Sequence, residues 1–468
     1  MLGEGTMQIE NNAQTAGDHA SNALGTAPIG RLLAQYSIPA IIGMAAASLY
    51  NIIDRVFIGH GVGAMAISGL ALTFPVMNLA AAFGALVGAG GASLVSIRLG
   101  EGRLREAEAI LGNTLFLNVV LGLCTSALGL VFLDRILYGM GASRETLPYA
   151  RQFMQIILLG NCFTHLYLGM NNVMRASGYP RKAMVTTLLT VALNLILAPT
   201  FIFVLHWGIR GAALATVCAQ AFGTLWNLLH FLRKDSTVRF QRGCFRPQSK
   251  IIRGIFAIGM SNFTTLACAS LVAVVYNLRL ARYGGDYAIG AFGIINSLAG
   301  LFVMVTVGVI MGMQPIAGFN FGARRFDRVE RVFRFAVIAA TGITTCGFML
   351  GEVFPRAVAG AFTRDPQLVH QAAEGMRLIF LLFPIVGFQM VTSGFFQSIG
   401  RAKISVVLSL SRQVLFLIPF LVALPLFWGV KGVWISEPAA DLTASLVTLL
   451  ILRAQFRKNL GARASQAS

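Results

Sequence analysis

Residues 56–97 read VFIGHGVGAMAISGLALTFPVMNLAAAFGALVGAGGASLVSI, an unbroken run without Asp, Glu, Lys or Arg. One helix that spans a bilayer needs about 20 apolar residues. This run is therefore long enough for an external loop and one long helix, and residues 287–323 form a second run of the same kind. Uncharged stretches of this length predict helices that cross a membrane.

The whole 468-residue chain has the same apolar character. Hydrophobic residues make up 56% of it, charged residues only 12%, and the mean hydropathy is +0.72. Soluble domains have about 25% charged residues, so the composition excludes a soluble enzyme, a disordered chain and a secreted disulfide scaffold. Twelve charge-free runs outline twelve predicted spans. The last two are short because Arg412, Glu437 and Asp441 interrupt them.

The formal net charge is +19, from 37 Lys and Arg against 18 Asp and Glu. In a soluble protein this excess would indicate a nucleic-acid partner. Here the basic residues alternate between the two sides of the predicted spans, with 25 on one side (Arg175 in an inner loop among them), 11 on the other and Arg412 between them. Because basic loops stay in the cytoplasm, we expect both termini to be cytoplasmic. We also expect a multi-pass protein of the inner (plasma) membrane that binds no nucleic acid.

The two halves of the chain resemble each other at a near-constant offset in residue number, which we call the repeat offset. The matching segments are 99–103 with 321–325, Glu108 with Glu330, 178–181 with 400–403 and, one residue out of step, 208–211 with 429–432. An even number of spans in each half gives both halves the same orientation in the membrane. The fold class predicted is therefore all-α, with twelve transmembrane helices in two six-helix bundles that are parallel repeats.

These bundles define the predicted domains. Residues 1–30 form a disordered cytoplasmic tail, residues 31–232 the N-terminal lobe and residues 233–253 a basic cytoplasmic linker. Residues 254–454 form the C-terminal lobe, and residues 455–468 a second cytoplasmic tail. Substrate is expected to bind between or within the lobes near the middle of the membrane, and the lobes to rock against each other to give alternating access.

Several short motifs follow one another in a fixed order between about residues 30 and 455. They are YNIIDRVFIG (50–59), MRASGYP (174–180), GMQP (312–315) with FNFGA (319–323), FQSIG (396–400), SRQ (411–413) and EPAAD (437–441). This ordered set resembles the multidrug and toxic compound extrusion (MATE) family, in particular its prokaryotic branch with an acidic site in the N-terminal lobe. The resemblance implies a V-shaped pair of bundles. It also implies export of organic, mostly cationic and amphiphilic small molecules by antiport with protons or sodium, and no cofactor.

Asp54 is the first charged residue inside a predicted span, about five residues from the outer end of the first helix. A charge in the bilayer costs roughly 2.5–3.5 kcal/mol on insertion scales. Asp54 is either an interfacial carboxylate paired with Arg55, or a carboxylate in the lobe cavity that exchanges a proton or sodium. Adjacent helical residues point in different directions, so Arg55 can reach outwards while Asp54 faces inwards. The resemblance favours the second interpretation.

The resemblance also implies partners for Asp54. Asn194 and Thr216 match an Asn and a Thr of the family site, and Tyr50 and Asn51 lie in the same motif as Asp54. A helix–helix hydrogen bond is the alternative role for Asn194. The family has a second Asp one turn after Asn194, where this chain has Ala198, and this departure puts a two-carboxylate relay in doubt.

Glu437 and Asp441 are four residues apart and share one face of the last predicted helix. Asp441 is roughly 15 Å deep if the helix starts near Lys431, and Arg412 is roughly 14 Å deep from the opposite side, at 1.5 Å per residue, so the three residues can meet. They form either a buried ion cluster that joins the last two helices or a second cation site. The acidic residue that the family carries on helix 7 has no counterpart, because residues 259–265 are uncharged.

The competing function is a flippase for a lipid-linked precursor or lipid. A cavity for anionic headgroups needs basic residues, and Arg412 is essentially the only one predicted inside the membrane, which favours cationic or neutral cargo. No Ser/His/Asp set, metal-ligand spacing or phosphate-binding Gly-rich loop is present, so we expect neither an enzyme nor a metal site. The six cysteines are expected to be reduced, and the protein to be a monomer.

Overall fold

The computed structural model describes residues 23–62, 64–140, 144–241 and 243–467. These residues are mostly helical and contain no strand. The N-terminal lobe consists of six long helices and a short one at Leu133–Gly139. The long helices are α1 (Ile29–Gly61), α2 (Ala64–Gly100), α3 (Leu104–Val131), α4 (Leu147–Ala176), α5 (Pro180–Pro199), which continues into a π-helical turn over Thr200–Val204, and α6 (Gly208–Leu232).

The C-terminal lobe repeats this arrangement. Its helices are α7 (Ser249–Gly285), α8 (Tyr287–Gly322), α9 (Phe326–Val353), a short helix at Pro355–Phe362, α10 (Pro366–Phe380 and Phe383–Ser398, bent by 52°), α11 (residues 402–428) and α12 (residues 430–467). Eleven stretches are long and apolar enough to span a membrane, if the bent pair counts as one. The last of them is broken at Gly429, so the described residues give twelve spans, as predicted.

The internal repeat is visible in the backbone itself. Left-handed φ angles recur at matching loop positions of the two lobes. Gly102 pairs with Arg324 and Gly178 with Gly400 at the repeat offset, and Gly208 pairs with Gly429 one residue out of step. Each pair ends or begins corresponding helices, and the prediction of two parallel six-helix repeats is confirmed.

Glycines let the two lobes approach closely where α2 crosses α8. A Cβ on Gly100 would lie 1.9 Å from the carbonyl oxygen of Phe319, and a Cβ on Gly322 would lie 2.1 Å from that of Ile97. No side chain fits at such a backbone contact. Residues 97 and 100 correspond to residues 319 and 322 at the repeat offset, so the two halves of this crossing are equivalent. We call it the glycine crossing.

The hydrophobic cores show how the lobes are joined. One core is shared by both lobes and lies towards the side with the basic loops, where Leu99 and Val95 pack in the same cluster as Met313 and Phe319. Towards the other side, each lobe has a separate core, centred on residues 58–213 in the N-terminal lobe and on residues 276–440 in the C-terminal lobe. The molecule is therefore a V that is closed on the basic side and open on the opposite side.

Two short segments cross from one lobe to the other on the closed side. The N-terminal strap (residues 23–28) precedes α1 but binds the C-terminal lobe, because Arg325 Nη1 donates to Gly25 O at 2.6 Å and Arg328 Nη2 to Ala27 O at 2.7 Å. The linker strap (residues 243–248) precedes α7 but binds α3, where Asn113 accepts from the Gln248 backbone N–H at 2.9 Å.

These straps change the predicted domain limits. The predicted disordered tail, residues 1–30, is wrong for residues 23–30, because Leu24 is fully buried and α1 begins at Ile29. Residues 1–22 lie outside the described part of the chain. The predicted linker ends at residue 248, since α7 begins at Ser249, and the predicted tail after residue 455 continues α12 as helix to Ala467.

Candidate functional site

The N-terminal lobe contains a network of polar side chains that joins α1, α5 and α6. The Tyr50 hydroxyl and Thr216 Oγ1 are 2.9 Å apart, and Asn194 Nδ2 donates to both oxygens, at 3.0 and 3.2 Å respectively. All three are predicted site residues, and the structure brings them together. Asn194 has only 3% of its surface exposed, and its amide oxygen has no hydrogen-bond partner among the described residues.

Asp54 lies next to this network on α1. It lies one helical turn after Tyr50 on the same face of α1, is only 7% exposed, and interacts electrostatically with the Tyr50 hydroxyl. Because α1 extends to Gly61, Asp54 is seven residues from the helix end rather than the predicted five, about 3 Å deeper at 1.5 Å per residue. Asn51 also lies on α1, but its side chain is outside the described part of the structure.

Ala198 occupies the position where the family pattern has its second carboxylate. It is 1% exposed and lies one turn after Asn194 on α5, just before the π-helical turn that begins at Thr200. The network thus offers one carboxylate together with amide, hydroxyl and phenol oxygens. Such oxygen donors suit a hard cation such as sodium, and the single carboxylate can instead hold a proton.

A second, charged cluster lies in the C-terminal lobe. Arg412 Nε donates to Asp441 Oδ1 at 2.6 Å, and Arg412 Nη2 is 3.8 Å from Glu437 Oε1. The Tyr276 hydroxyl donates to Glu437 Oε2 at 3.3 Å. The geometry therefore brings the three predicted residues together, with Asp441 1% exposed.

A small cavity adjoins this cluster on the side of α8 and α10. Glu437 and Asp441 line it together with Phe292, Asn296 and Phe383. Tyr276 stacks on Phe292 with ring centroids 4.2 Å apart, so an aromatic surface faces the carboxylates. The cluster therefore has Arg412 as an internal cation and also an adjoining space for a second cation. The buried ion cluster and the second cation site both stay predictions.

The polar sites of the two lobes occupy corresponding positions in the repeat. Tyr276 is the counterpart of Asp54 at the repeat offset, and Glu437 is the counterpart of Thr216 one residue out of step. Carboxylate and hydroxyl have thus exchanged places between the lobes. Sequence reasoning missed Tyr276, although the repeat offset applied to Asp54 would have found it.

Sequence reasoning also misplaced Arg175. The rule for basic loops assigns it to a cytoplasmic loop and leaves Arg412 as essentially the only basic residue inside the protein. The structure instead places Arg175 in the last turn of α4, lining a small cavity between the lobes with Ser93, Ser96 and Gln314. The rule gives the side of the membrane but not the direction of a side chain.

Two six-helix lobes that share one core at the closed end, each with a buried polar site, define a membrane transporter. The chain belongs to the MatE family, whose model matches residues 39–200 and 263–422, well over half of the chain. Members of this family are transporters of small molecules. The chain is therefore a multi-pass transporter and not an enzyme, and the predicted family is confirmed.

Relatives and solved structures agree with this assignment. The multidrug export protein MepA of Staphylococcus haemolyticus (strain JCSC1435) is 28% identical over 424 residues, 91% of this chain and 93% of the relative. MepA of Staphylococcus aureus (strain MRSA252) is 27% identical over 426 residues, 91% and 94% of the two chains.

Solved structures share the fold. An outward-facing multidrug resistance MATE family transporter of the MOP superfamily has a TM-score of 0.87 at 24% identity, covering 93% of this chain and 98% of its own. A MATE crystal structure in the bent conformation has a TM-score of 0.89 at 24% identity, covering 95% and 99%.

Proposed function

We propose that this protein exports organic, mostly cationic and amphiphilic compounds from the cell by antiport with protons or sodium. The observation that carries the proposal is the buried carboxylate of Asp54 beside the network of Tyr50, Asn194 and Thr216. Relatives that align over 91% of the chain are multidrug export proteins, which supports the direction and the breadth of transport.

Antiport follows from competition for one negative charge. Ionised Asp54 attracts a cation, and the unpartnered amide oxygen of Asn194 provides a further acceptor for it. When Asp54 takes up a proton or a sodium ion, this attraction is lost or already satisfied, and a cationic substrate leaves. Because position 198 is an alanine, one carboxylate performs this exchange in the N-terminal network.

Alternating access would come from the two lobes rocking about the shared core. With the basic loops and both termini in the cytoplasm of a plasma-membrane protein, the V is open to the outside. To open inwards, the lobes must separate at the glycine crossing and the two straps must release their partners. The protein is proposed to work as a monomer, since the cleft lies between lobes of one chain.

Ethidium efflux from proteoliposomes tests this function. The purified protein is reconstituted, and a proton gradient and a sodium gradient are imposed in separate experiments. We expect one of them to drive efflux above the level of empty liposomes, and an ionophore for that ion to abolish it. No efflux under either gradient from monodisperse, correctly inserted protein, with ethidium and with two further cationic dyes, would contradict the proposal.

A further inference from the structure

Arg175 presents unused hydrogen-bond donors to the cavity between the lobes. Its Nη2 donates to Asn171 Oδ1 at 3.1 Å and its Nη1 to Asn172 Oδ1 at 3.3 Å, and both acceptors are neutral amides. A guanidinium has five N–H donors, so three remain. None of the ion pairs among the described residues includes Arg175.

The opposite wall of the cavity adds a second group with a spare donor. Gln314 of α8 lines the cavity and donates through Nε2 to Gln397 Oε1 at 3.4 Å. Gln397, directly behind it, is 2% exposed, and its own Nε2 has no acceptor among the described residues. A buried donor without an acceptor is costly, and no Asp or Glu is among the residues that line the cavity.

The repeat shows that the positive charge is a feature of one lobe only. Gln397 is the counterpart of Arg175 at the repeat offset. Both lie at the inner ends of corresponding helices, α4 and α10, so their shared position gives no structural reason for a charge on one side. At this position the N-terminal lobe has a guanidinium that lines the cavity, whereas the C-terminal lobe has a neutral amide that lies behind Gln314.

We propose that this cavity binds the carboxylate of a zwitterionic substrate while the cationic part of the same molecule lies in the cleft. A guanidinium binds a carboxylate through two parallel charge-assisted hydrogen bonds, and Ser93, Asn172 and Gln314 supply further polar contacts. The cavity has room for about one water molecule, so it must widen slightly to admit a carboxylate and cannot admit a whole drug. The inference rests on the proposed export function and assigns the recognition of a substrate carboxylate to Arg175.

The location gives this site a role in the transport cycle. Ser93 and Ser96 lie on α2, Arg175 on α4 and Gln314 on α8, so the walls belong to both lobes. The cavity is within the closed side of the V, where the lobes must part for inward opening. A bound carboxylate would therefore contact both lobes while the basic side of the V is closed, and only one lobe after the lobes separate there.

Two dyes that differ at one carboxyl group test the proposal. Rhodamine 110 has a free carboxyl group, and rhodamine 123 is its methyl ester. The binding of each dye to the purified protein is followed by fluorescence polarisation. In Arg175→Gln, we expect affinity for rhodamine 110 to fall about ten-fold or more, the size of a lost charge-assisted bond. Affinity for rhodamine 123 should stay within about two-fold. The matched control is Arg181→Gln, an exposed arginine at the start of α5, which should leave both affinities unchanged.

Arg175→Lys is the second variant, to be used if Arg175→Gln does not fold. Lysine retains the charge but not the planar pair of donors, so it should weaken rhodamine 110 selectively and by less. Equal effects on both dyes, or no effect on either, would overturn the proposal. So would complete displacement of rhodamine 110 by inorganic phosphate or chloride at millimolar concentration, since the site would then take a free anion. Wild-type protein that binds and exports rhodamine 123 but does not bind rhodamine 110 would overturn the carboxylate site and leave the export function standing.

Discussion

Arg412 is the residue on which the charged cluster of the C-terminal lobe depends. It contacts both Asp441 and Glu437, which are otherwise two carboxylates one helical turn apart in a buried setting. Breaking a buried ion pair by removing one partner costs about 3–5 kcal/mol. We expect Arg412→Ala to be strongly destabilising, because it leaves both carboxylates without their cation, and Asp441→Asn to be milder.

Thermal unfolding of the two variants in detergent measures this difference. The melting temperature of Arg412→Ala should fall well below that of Asp441→Asn, with Arg151→Ala, at an exposed ion pair with Asp134, as the control. An unchanged melting temperature in Arg412→Ala would argue against the structural cluster. It would make a free cation site at Glu437 and Asp441 the better interpretation.

Ala198→Asp restores the carboxylate that the family pattern has at this position. It lies on the same face of α5 as Asn194, one turn away, and we expect the variant to fold and to strengthen ion coupling. Two nearby carboxylates share a proton or a cation, so the pH dependence of efflux should shift. Monodispersity and pH-dependent efflux are measured together. A well-folded variant with an unchanged pH profile would show that this part of the lobe takes no part in coupling.

The functional residues inside the membrane could be predicted where a charged residue interrupts an apolar run. Arg412, Glu437 and Asp441 interrupt apolar runs, and helix depth together with four-residue spacing was enough to predict that they meet. Tyr276 lies in an apolar stretch that contains many aromatic residues, so nothing local distinguishes it. Arg175 follows the rule for basic loops, and only three-dimensional packing shows that its side chain turns into the cavity between the lobes.

At the scale of helices, the glycine crossing between α2 and α8 holds the closed side together. Gly100→Ala would place a Cβ 1.9 Å from the Phe319 carbonyl oxygen, a backbone atom that cannot move without its helix. Overpacking of this kind costs roughly 1–3 kcal/mol. We expect a lower melting temperature and impaired efflux. Gly342→Ala, on α9 with open space around it, is the control and should behave like wild type. Equal behaviour of both variants would contradict the close crossing.

The number and order of the helices followed from charge-free runs, but the ends of several helices did not. The charge-free run of α12 starts only after Asp441, although both acids were placed on this helix, and the structure shows it running from residue 430 to residue 467. The straps were missed as well. Residues 23–28 are short and have little hydrophobic periodicity, and they are ordered by arginines from the other half of the chain.

For the whole molecule, the internal repeat explains the symmetric arrangement of the helices but not the polar sites. Matching glycines and matching left-handed turns place the lobes around one axis. The polar residues depart from this symmetry, with Asp54 opposite Tyr276 and Arg175 opposite Gln397. The shape as a V was predictable from the resemblance. The side on which it is open was not, because that depends on which half of each helix packs across the lobes.

The most direct test of ion coupling is the transport activity of Asp54→Asn. This substitution removes the exchangeable charge with almost no change in volume, and asparagine can still hydrogen-bond within the network of Tyr50, Asn194 and Thr216. In proteoliposomes, with ethidium and the gradient that drives the wild type, we expect coupled efflux to be lost or strongly reduced. The melting temperature and the amount of inserted protein should stay close to those of wild type. Full gradient-driven efflux by folded Asp54→Asn would contradict the central claim that Asp54 couples ion entry to substrate export.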